Sequence, residues 1–180
     1  VSDITISAGA TTGTASFTPT DDSIYDATSN ETAGISISAV SGGSATEDGN
    51  QAVTITITDN ESAPTVTLSR SSSAIDENSG STVTITATLS VVTFQDVTVS
   101  IDGTGGTGTE GTDFGTASDI TISAGSTTGT AAVDPTDDSV YEGDETAGIS
   151  ISGVSGGGAS ESGSQSVTVT ITENESAPTV

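Results

Sequence analysis

The chain has 180 residues, with 25 acidic side chains against one basic side chain and a formal net charge of −24. It contains no His, Cys, Met or Trp. This composition excludes Ser-His and Cys-His nucleophiles, zinc sites of nitrogen or sulfur ligands, haem ligation and disulfides. Nucleic acid and anionic membrane surfaces are not expected as partners, because their phosphates repel so acidic a chain. No apolar run is long enough for membrane insertion as a helix.

Apolar residues alternate with threonine along the chain, which is the period of a half-buried strand. In chain order, the alternation predicts strands near residues 4–6, 14–18, 34–40, 52–58, 65–69, 82–90 and 96–102. The segments between them are rich in Gly, Ser, Asn and Asp, as turns are. The sequence therefore predicts an all-β fold of tandem antiparallel β-sandwiches, immunoglobulin-like with about seven strands per unit and arranged as an extended rod.

The chain contains a long internal repeat. Residues 2–25 return at 118–141, and residues 31–66 return at 145–180; the two offsets differ because DATSN (26–30) stands where the second copy has EGD (142–144). A unit of this length is a domain rather than a solenoid repeat. We predict a complete unit at 62–175, the C-terminal half of a unit at 1–61, and a linker with the start of a further unit at 176–180. Residues 1–61 should need a preceding segment or a partner, because half a sandwich exposes an apolar face and strand edges.

The acidic residues of the complete unit lie in its turns and at its end. Alternate loops of a sandwich meet at one end of the fold, so these segments should converge. Hard oxygen donors without nitrogen or sulfur ligands favour Ca²⁺. The alternative is that they are ordinary surface loops of an acidic protein. The candidate ligands are Glu77, Asp113, Asp137, Asp138, Glu142, Glu145, Glu173 and Glu175.

Residues 62–175 resemble a Calx-beta domain, the calcium-binding β-sandwich of sodium–calcium exchangers, integrin β4 and large bacterial surface proteins. The resemblance rests on DDSVYEGDE (137–145), TVTITENE (168–175), IDENSG (75–80) and GTDF (111–114). It implies a calcium cluster at one tip, held by the eight carboxylates above and the carbonyl of Val140. Ser139, Gly143 and Asn174 stand where the family's best calcium binders have acids, so the resemblance implies two or three ions per tip.

The half unit carries a second, incomplete set of these positions. The counterparts of Glu77 and Asp113 would precede residue 1, and the DATSN insertion changes the spacing between Asp26 and Glu31. A weaker site is therefore expected. The residues of the half unit that match the Calx-beta positions are Asp21, Asp22, Ile24, Asp26, Glu31, Asp59 and Glu61.

A cadherin-like module is the alternative fold, since DNESAP (59–64) resembles the calcium linker of that family.

The sequence predicts a binding or structural protein rather than an enzyme. A pair of carboxylates can hydrolyse glycosides, but a glycosidase cleft needs sugar-stacking aromatic residues, and the chain has only two Tyr and three Phe, which are scattered.

Near-identical units joined by the short linker ESAP (61–64) predict a calcium-rigidified extender of a large secreted bacterial adhesin or extracellular filament. Its partners would be neighbouring units, with other copies in a filament as a further candidate. The alternatives are a regulatory calcium sensor and a ligand-binding adhesive module.

Overall fold

The computed structural model describes residues 1–26 and 31–180. Within these ranges the chain forms two compact units, the first from residues 1–22 and 31–58 and the second from residues 23–26 and 59–180. The division falls after residue 58 rather than after residue 61, and Ile24–Tyr25 (β1) belongs to the second unit because it pairs in parallel with Val92–Thr93. Most of the DATSN insertion lies outside the described residues. None of the helices in the described ranges is both long and apolar enough to cross a membrane.

Among its described residues, the first unit contains one pair of strands. Glu31–Ser36 (β2) and Ala52–Ile57 (β3) run antiparallel, with Glu31 opposite Ile57. The strands predicted near 4–6 and 14–18 are wrong, because residues 1–22 contain no strand. The strand predicted near 34–40 begins earlier, at Glu31, and ends at Ser36.

The second unit is built from two main sheets. Besides β1, its strands are Thr65–Arg70 (β4), Ala74–Asp76 (β5), Val83–Leu89 (β6), Val92–Thr93 (β7), Val97–Asp102 (β8), Ile120–Ile122 (β9), Thr128–Val133 (β10), Glu145–Ser155 (β11), Ser160–Glu161 (β12) and Ser166–Thr172 (β13). One sheet has the order β10-β6-β4-β12, and the other has the order β5-β13-β11-β8-β9. A 3-10 turn, Glu77–Ser79, follows β5. The long strands pair antiparallel, whereas the short β5 and β12 pair in parallel with β13 and β4.

One apolar core fills the space between the two sheets. Each long strand turns one row of alternate side chains toward this core. In β6 every second residue is buried and the intervening threonines are half-buried. Both sheets contribute to the same core, so the prediction of an all-β sandwich is confirmed. The core residues are Val66, Val83, Ile85, Ala87, Leu89, Val97, Val99, Ile101, Phe114, Ile120, Ile122, Val133, Ala147, Ile149, Val169 and Ile171.

The glycine-rich loop between β8 and β9 lies directly against β11. The backbone N–H groups of Gly105 and Gly108 donate to the carbonyls of Gly148 and Thr146, both at 3.1 Å. A Cβ on Gly106 would lie 1.7 Å from the Thr146 carbonyl oxygen, and one on Gly148 would lie 2.4 Å from the Gly105 carbonyl carbon. Only glycine permits this approach of backbone to backbone. The loop then continues to Asp113, so its position is set by the contact with β11.

Candidate metal centre

Strand pairing brings the start of β11 and the ends of β5 and β13 together at one end of the five-stranded sheet. Antiparallel pairing places Glu145, the first residue of β11, opposite Ile171. Parallel pairing places Asp76, the last residue of β5, opposite Thr172, the last residue of β13. The next residues along the chain, Glu77 and Glu173, therefore leave adjacent strands at the same end.

Six of the predicted acids gather into two groups, Glu77 with Glu173 and Glu175, and Asp113 with Glu142 and Glu145. Within each group, one carboxylate oxygen of every residue lies within 4.8 Å of the others. Members of both groups line one pocket, which also contains Gly143 and Ile171. Because Ca²⁺ binds oxygen ligands at about 2.3–2.6 Å, oxygens separated in this way can share one ion.

Glu173 is the hydrogen-bond acceptor at the centre of the first group. Its Oε2 accepts from the backbone N–H of Glu142 at 2.6 Å and of Gly143 at 2.9 Å, and its Oε1 accepts from that of Glu175 at 3.0 Å and of Asn174 at 2.9 Å. Donors of this kind stabilise the charged carboxylate. They lower the pKa of Glu173 to about 2, with the bond from Glu142 contributing most. Glu173 therefore stays ionised.

Glu175 has the opposite electrostatic environment. The pKa of Glu175 is raised to about 7, mainly by a hydrogen bond with the Glu173 carboxylate and secondly by burial. Its Oε2 is buried and has no hydrogen-bond partner among the described residues. A buried oxygen without a donor is costly, and a cation would satisfy it. The donor set and this atom together fit a bound Ca²⁺.

Burial and repulsion act on the other acids of the centre as well. Burial, together with the charges of Glu173, Asp138 and Asp137, raises the pKa of Glu77. In the second group, burial and the charge of Asp113 raise the pKa values of Glu142 and Glu145. The chain has a single basic side chain and cannot neutralise the cluster internally.

The loop between β10 and β11 brings Asp137, Asp138 and Val140 to the rim of the first group. The backbone N–H of Asp138 donates to Glu77 Oε1 at 3.3 Å, and Asp138 Oδ1 accepts from the Val140 N–H at 2.6 Å. Asp137 Oδ1 accepts from Asn174 Nδ2 at 3.3 Å. All three residues are exposed. The ligand role of the Val140 carbonyl stays a prediction, as do the roles of the eight carboxylates.

Three residues outside the predicted ligand set also make hydrogen bonds within the centre. Asp144 Oδ1 accepts from the Glu173 N–H at 3.1 Å, and Gly143 and Asn174 make the contacts already described. Gly143 has a φ of 82°, which favours glycine, and this turns its N–H toward Glu173. The sequence marked Gly143 and Asn174 only as departures from acidic positions, and their hydrogen bonds to Glu173 and Asp137 follow from the fold.

The half-unit positions divide between the two compact units. Asp21, Asp22 and Glu31 lie in the first, whereas Ile24, Asp26, Asp59 and Glu61 lie in the second. Ile24 is in β1.

The second-unit members repeat part of the centre. The Asp26 N–H donates to Asp59 Oδ2 at 3.1 Å, as that of Glu142 does to Glu173, and the Glu61 N–H donates to Asp59 Oδ1 at 3.5 Å. A hydrogen bond with the Glu61 side chain is the main cause that lowers the pKa of Asp59.

Comparisons with known proteins identify the family of the chain. The Calx-beta domain family model matches residues 59–175, so the chain belongs to the Calx-beta domain family. The chain is also similar to a solved structure described as the crystal structure of the apo-form Calx CBD1 domain. The identity is 20% and the TM-score 0.49, and the match covers 63% of this chain and 99% of that one. No curated protein matches the chain.

Proposed function

We propose that residues 59–175 bind Ca²⁺ and act as a structural extender whose joint to the neighbouring repeat is stiffened by the ion. The observation that carries the proposal is where the closing acids stand in the chain. Asp59 and Glu61 come shortly before Thr65, the first residue of β4, and Glu173 and Glu175 occupy the equivalent positions at the second copy of the ESAP linker. An ion held by these acids would fix the exit of one unit and the entry to the next.

The chemistry of the centre supports calcium as the ion. All candidate ligands are oxygens, and six carboxylates approach one another without a basic side chain to balance them. Ca²⁺ takes six to eight oxygen ligands in flexible geometry, whereas Mg²⁺ requires a tighter octahedron at about 2.0–2.1 Å. Membership in a family of calcium-binding, non-catalytic modules supports the same reading and a role other than catalysis.

The extender role is supported by the near-identity of the repeats. Residues 145–152 copy residues 31–38 without change, and the ESAPTV sequence recurs at both unit ends. A stalk requires copies of one unit, whereas sensors and adhesive tips gain from divergence. We further propose that the parent protein is a large secreted or cell-surface protein of bacterial type, either an adhesin or a filament. The partners of this chain are then neighbouring repeats.

Small-angle scattering tests the joint in a chain of two complete units, residues 59–180 continued by a second copy of residues 67–175. The proposal expects a larger maximum dimension in Ca²⁺ than in chelator, because the ion binds only the ordered joint and shifts the population toward it. Circular dichroism would check that both units stay folded in both conditions.

A pair of matched variants separates the joint from the ion site. Glu173→Gln with Glu175→Gln in the first copy, which adjoins a linker, should abolish the change in dimension. The same substitutions in the second copy, which has no unit after it, should leave the change intact. Calcium binding without any change in maximum dimension would reject the extender role and favour a regulatory sensor, while calcium binding itself would stand.

A further inference from the structure

The first unit presents an apolar face that its repeat counterpart buries. Ile4 and Ile6 are each 57% exposed, whereas their counterparts Ile120 and Ile122 are fully buried. Ile35 and Ile55 in β2 and β3 are half-buried, and their counterparts Ile149 and Val169 are again fully buried. An exposed apolar face of this kind marks an interaction surface.

We infer that this face is the docking surface for a half-repeat of the sequence type of residues 62–117, joined to it in the chain order that the complete unit uses. The inference concerns the first unit alone and does not depend on calcium. Its occupant has a defined chemistry, namely three strands that alternate Val, Ile or Ala with Thr, as β4, β6 and β8 do.

The pattern of formed and unformed strands identifies the occupant. In the complete unit, β9 pairs with β8, β10 pairs with β6, and the end of β11 pairs with β8. Every one of these partners lies within 62–117. In the first unit, the segments equivalent to β9, β10 and the end of β11 are not strands. The one pairing that needs nothing from 62–117, β11 with β13, has a counterpart in β2 with β3.

The β2–β3 pair and the turn that joins its strands already have the conformation of their counterparts in the complete unit. The register of β2 with β3, Glu31 opposite Ile57, reproduces that of Glu145 opposite Ile171. Gln51 makes the same turn as Gln165: its N–H donates to Glu47 as that of Gln165 does to Glu161.

The features that differ between the two copies are those that meet the first half-repeat. Gln165 Oε1 accepts from the Leu68 N–H at 3.2 Å, a bond that ties the turn to β4. Gly148 is covered by the loop at Gly105, whereas a Cβ on its counterpart Gly34 would have no atom within 4 Å. The first unit is therefore shaped for an occupant with a loop like 102–115.

A second copy of the first unit does not meet these needs. Its described residues offer no counterpart of β6 or β8, so the segments near 4–6 and 14–18 would still lack strands to pair with. Residues 62–117 of a second copy are already packed in their own core. The half-repeat in chain order is the occupant that satisfies both the apolar face and the missing pairings.

Hydrogen exchange tests the inference on two chains, the full chain and the same chain with a copy of residues 62–116 placed before Val1. The readout is β3, whose sequence AVTITI differs from that of β13, so its peptides are distinguishable. Addition of the half-repeat should slow exchange of β3 by at least about 100-fold, toward the rate of β13, because its opening then requires disruption of a core.

Two controls keep the test decisive. Ile85→Asp with Val99→Asp in the added copy alone should return β3 to fast exchange. Gly34→Ala should leave exchange of β3 unchanged in the full chain. In the extended chain it should speed exchange of β3, because Gly34 is the counterpart of Gly148 and its Cβ would then meet the added loop. Unchanged exchange of β3 on extension would overturn the inference. A full chain that elutes at twice its mass with β3 already protected would also overturn it, in favour of a second copy.

Discussion

At the scale of single residues, two glutamates separated by one position behave in opposite ways. Backbone N–H groups hold the pKa of Glu173 at about 2, whereas the hydrogen bond with that carboxylate raises the pKa of Glu175 to about 7. Below about pH 7 the pair thus holds one proton, which a divalent cation would displace. Binding of Ca²⁺ at this pair would therefore be linked to proton release.

The first prediction concerns the pH dependence of stability without calcium. A proton on Glu175 stabilises the fold below the ordinary pKa of 4.5, and that contribution is lost as pH rises through about 7. The raised pKa values of Glu77, Glu142 and Glu145 act in the same direction. In chelator, the melting temperature of the second unit should fall between pH 5 and pH 8, as calorimetry would measure.

The low pKa of Glu173 acts with the opposite sign and at lower pH. Its stabilisation is present above 4.5 and is lost as pH falls toward about 2. The calcium-free stability should therefore peak near pH 5. Glu175→Gln is the control, and it should flatten the decline above pH 5. A calcium-free melting temperature that rises from pH 5 to pH 8 would contradict this assignment.

The second prediction separates ligands from other acids. Asp113→Asn with Glu145→Gln removes two charges from one group of the centre and should abolish the stabilisation from an ion there, about 2.7 kcal/mol at 100-fold saturation. Calorimetry with and without Ca²⁺ would measure the loss.

The matched control for this variant is Asp96→Asn with Asp119→Asn. These acids lie outside the centre, where Asp96 accepts from the Ala124 N–H and Asp119 accepts from the Ser100 hydroxyl. Asn keeps an acceptor oxygen at both positions. Equal losses in the two double variants would mean diffuse charge screening rather than a site.

At the scale of elements, the third prediction uses the repeat itself as its control. Gly148→Ala should destabilise the second unit by roughly 1–3 kcal/mol, since its Cβ collides with the Gly105 backbone and displaces the loop that carries Asp113. Gly34→Ala in β2 should change stability by less than about 0.5 kcal/mol, since the space there is open. Equal melting temperatures of the two variants would show that the contact of the loop with β11 is unimportant.

Alternation predicted the long strands of the second unit but not the edges of its sheets. β6 and β13 follow from apolar residues at every second position. The short β5 and β12 have no such pattern, because their pairing is set by neighbours distant in sequence. β5 matters for the candidate centre, since its pairing with β13 places Glu77 beside Glu173. The acids were predictable from loop convergence, whereas their division into two groups depends on strand register.

At the scale of the whole molecule, the same sequence pattern appears once with its partner strands and once without them. ITI is a strand at 120–122 and not at 4–6, although both segments carry the same residues. The difference arises because β8 lies beside the first and no counterpart lies beside the second among the described residues. Pattern predicts which residues can form a strand, and pairing determines which of them do.

The central claim, that the carboxylate centre binds calcium, is tested most directly by thermal unfolding of the full chain in Ca²⁺ and in chelator. Mg²⁺ at the same concentration controls for ionic strength. One ion at 100-fold saturation adds about 2.7 kcal/mol, so the melting temperature of the second unit should rise by roughly 10 °C in Ca²⁺ and far less in Mg²⁺. The same melting temperature in Ca²⁺, Mg²⁺ and chelator would contradict the claim.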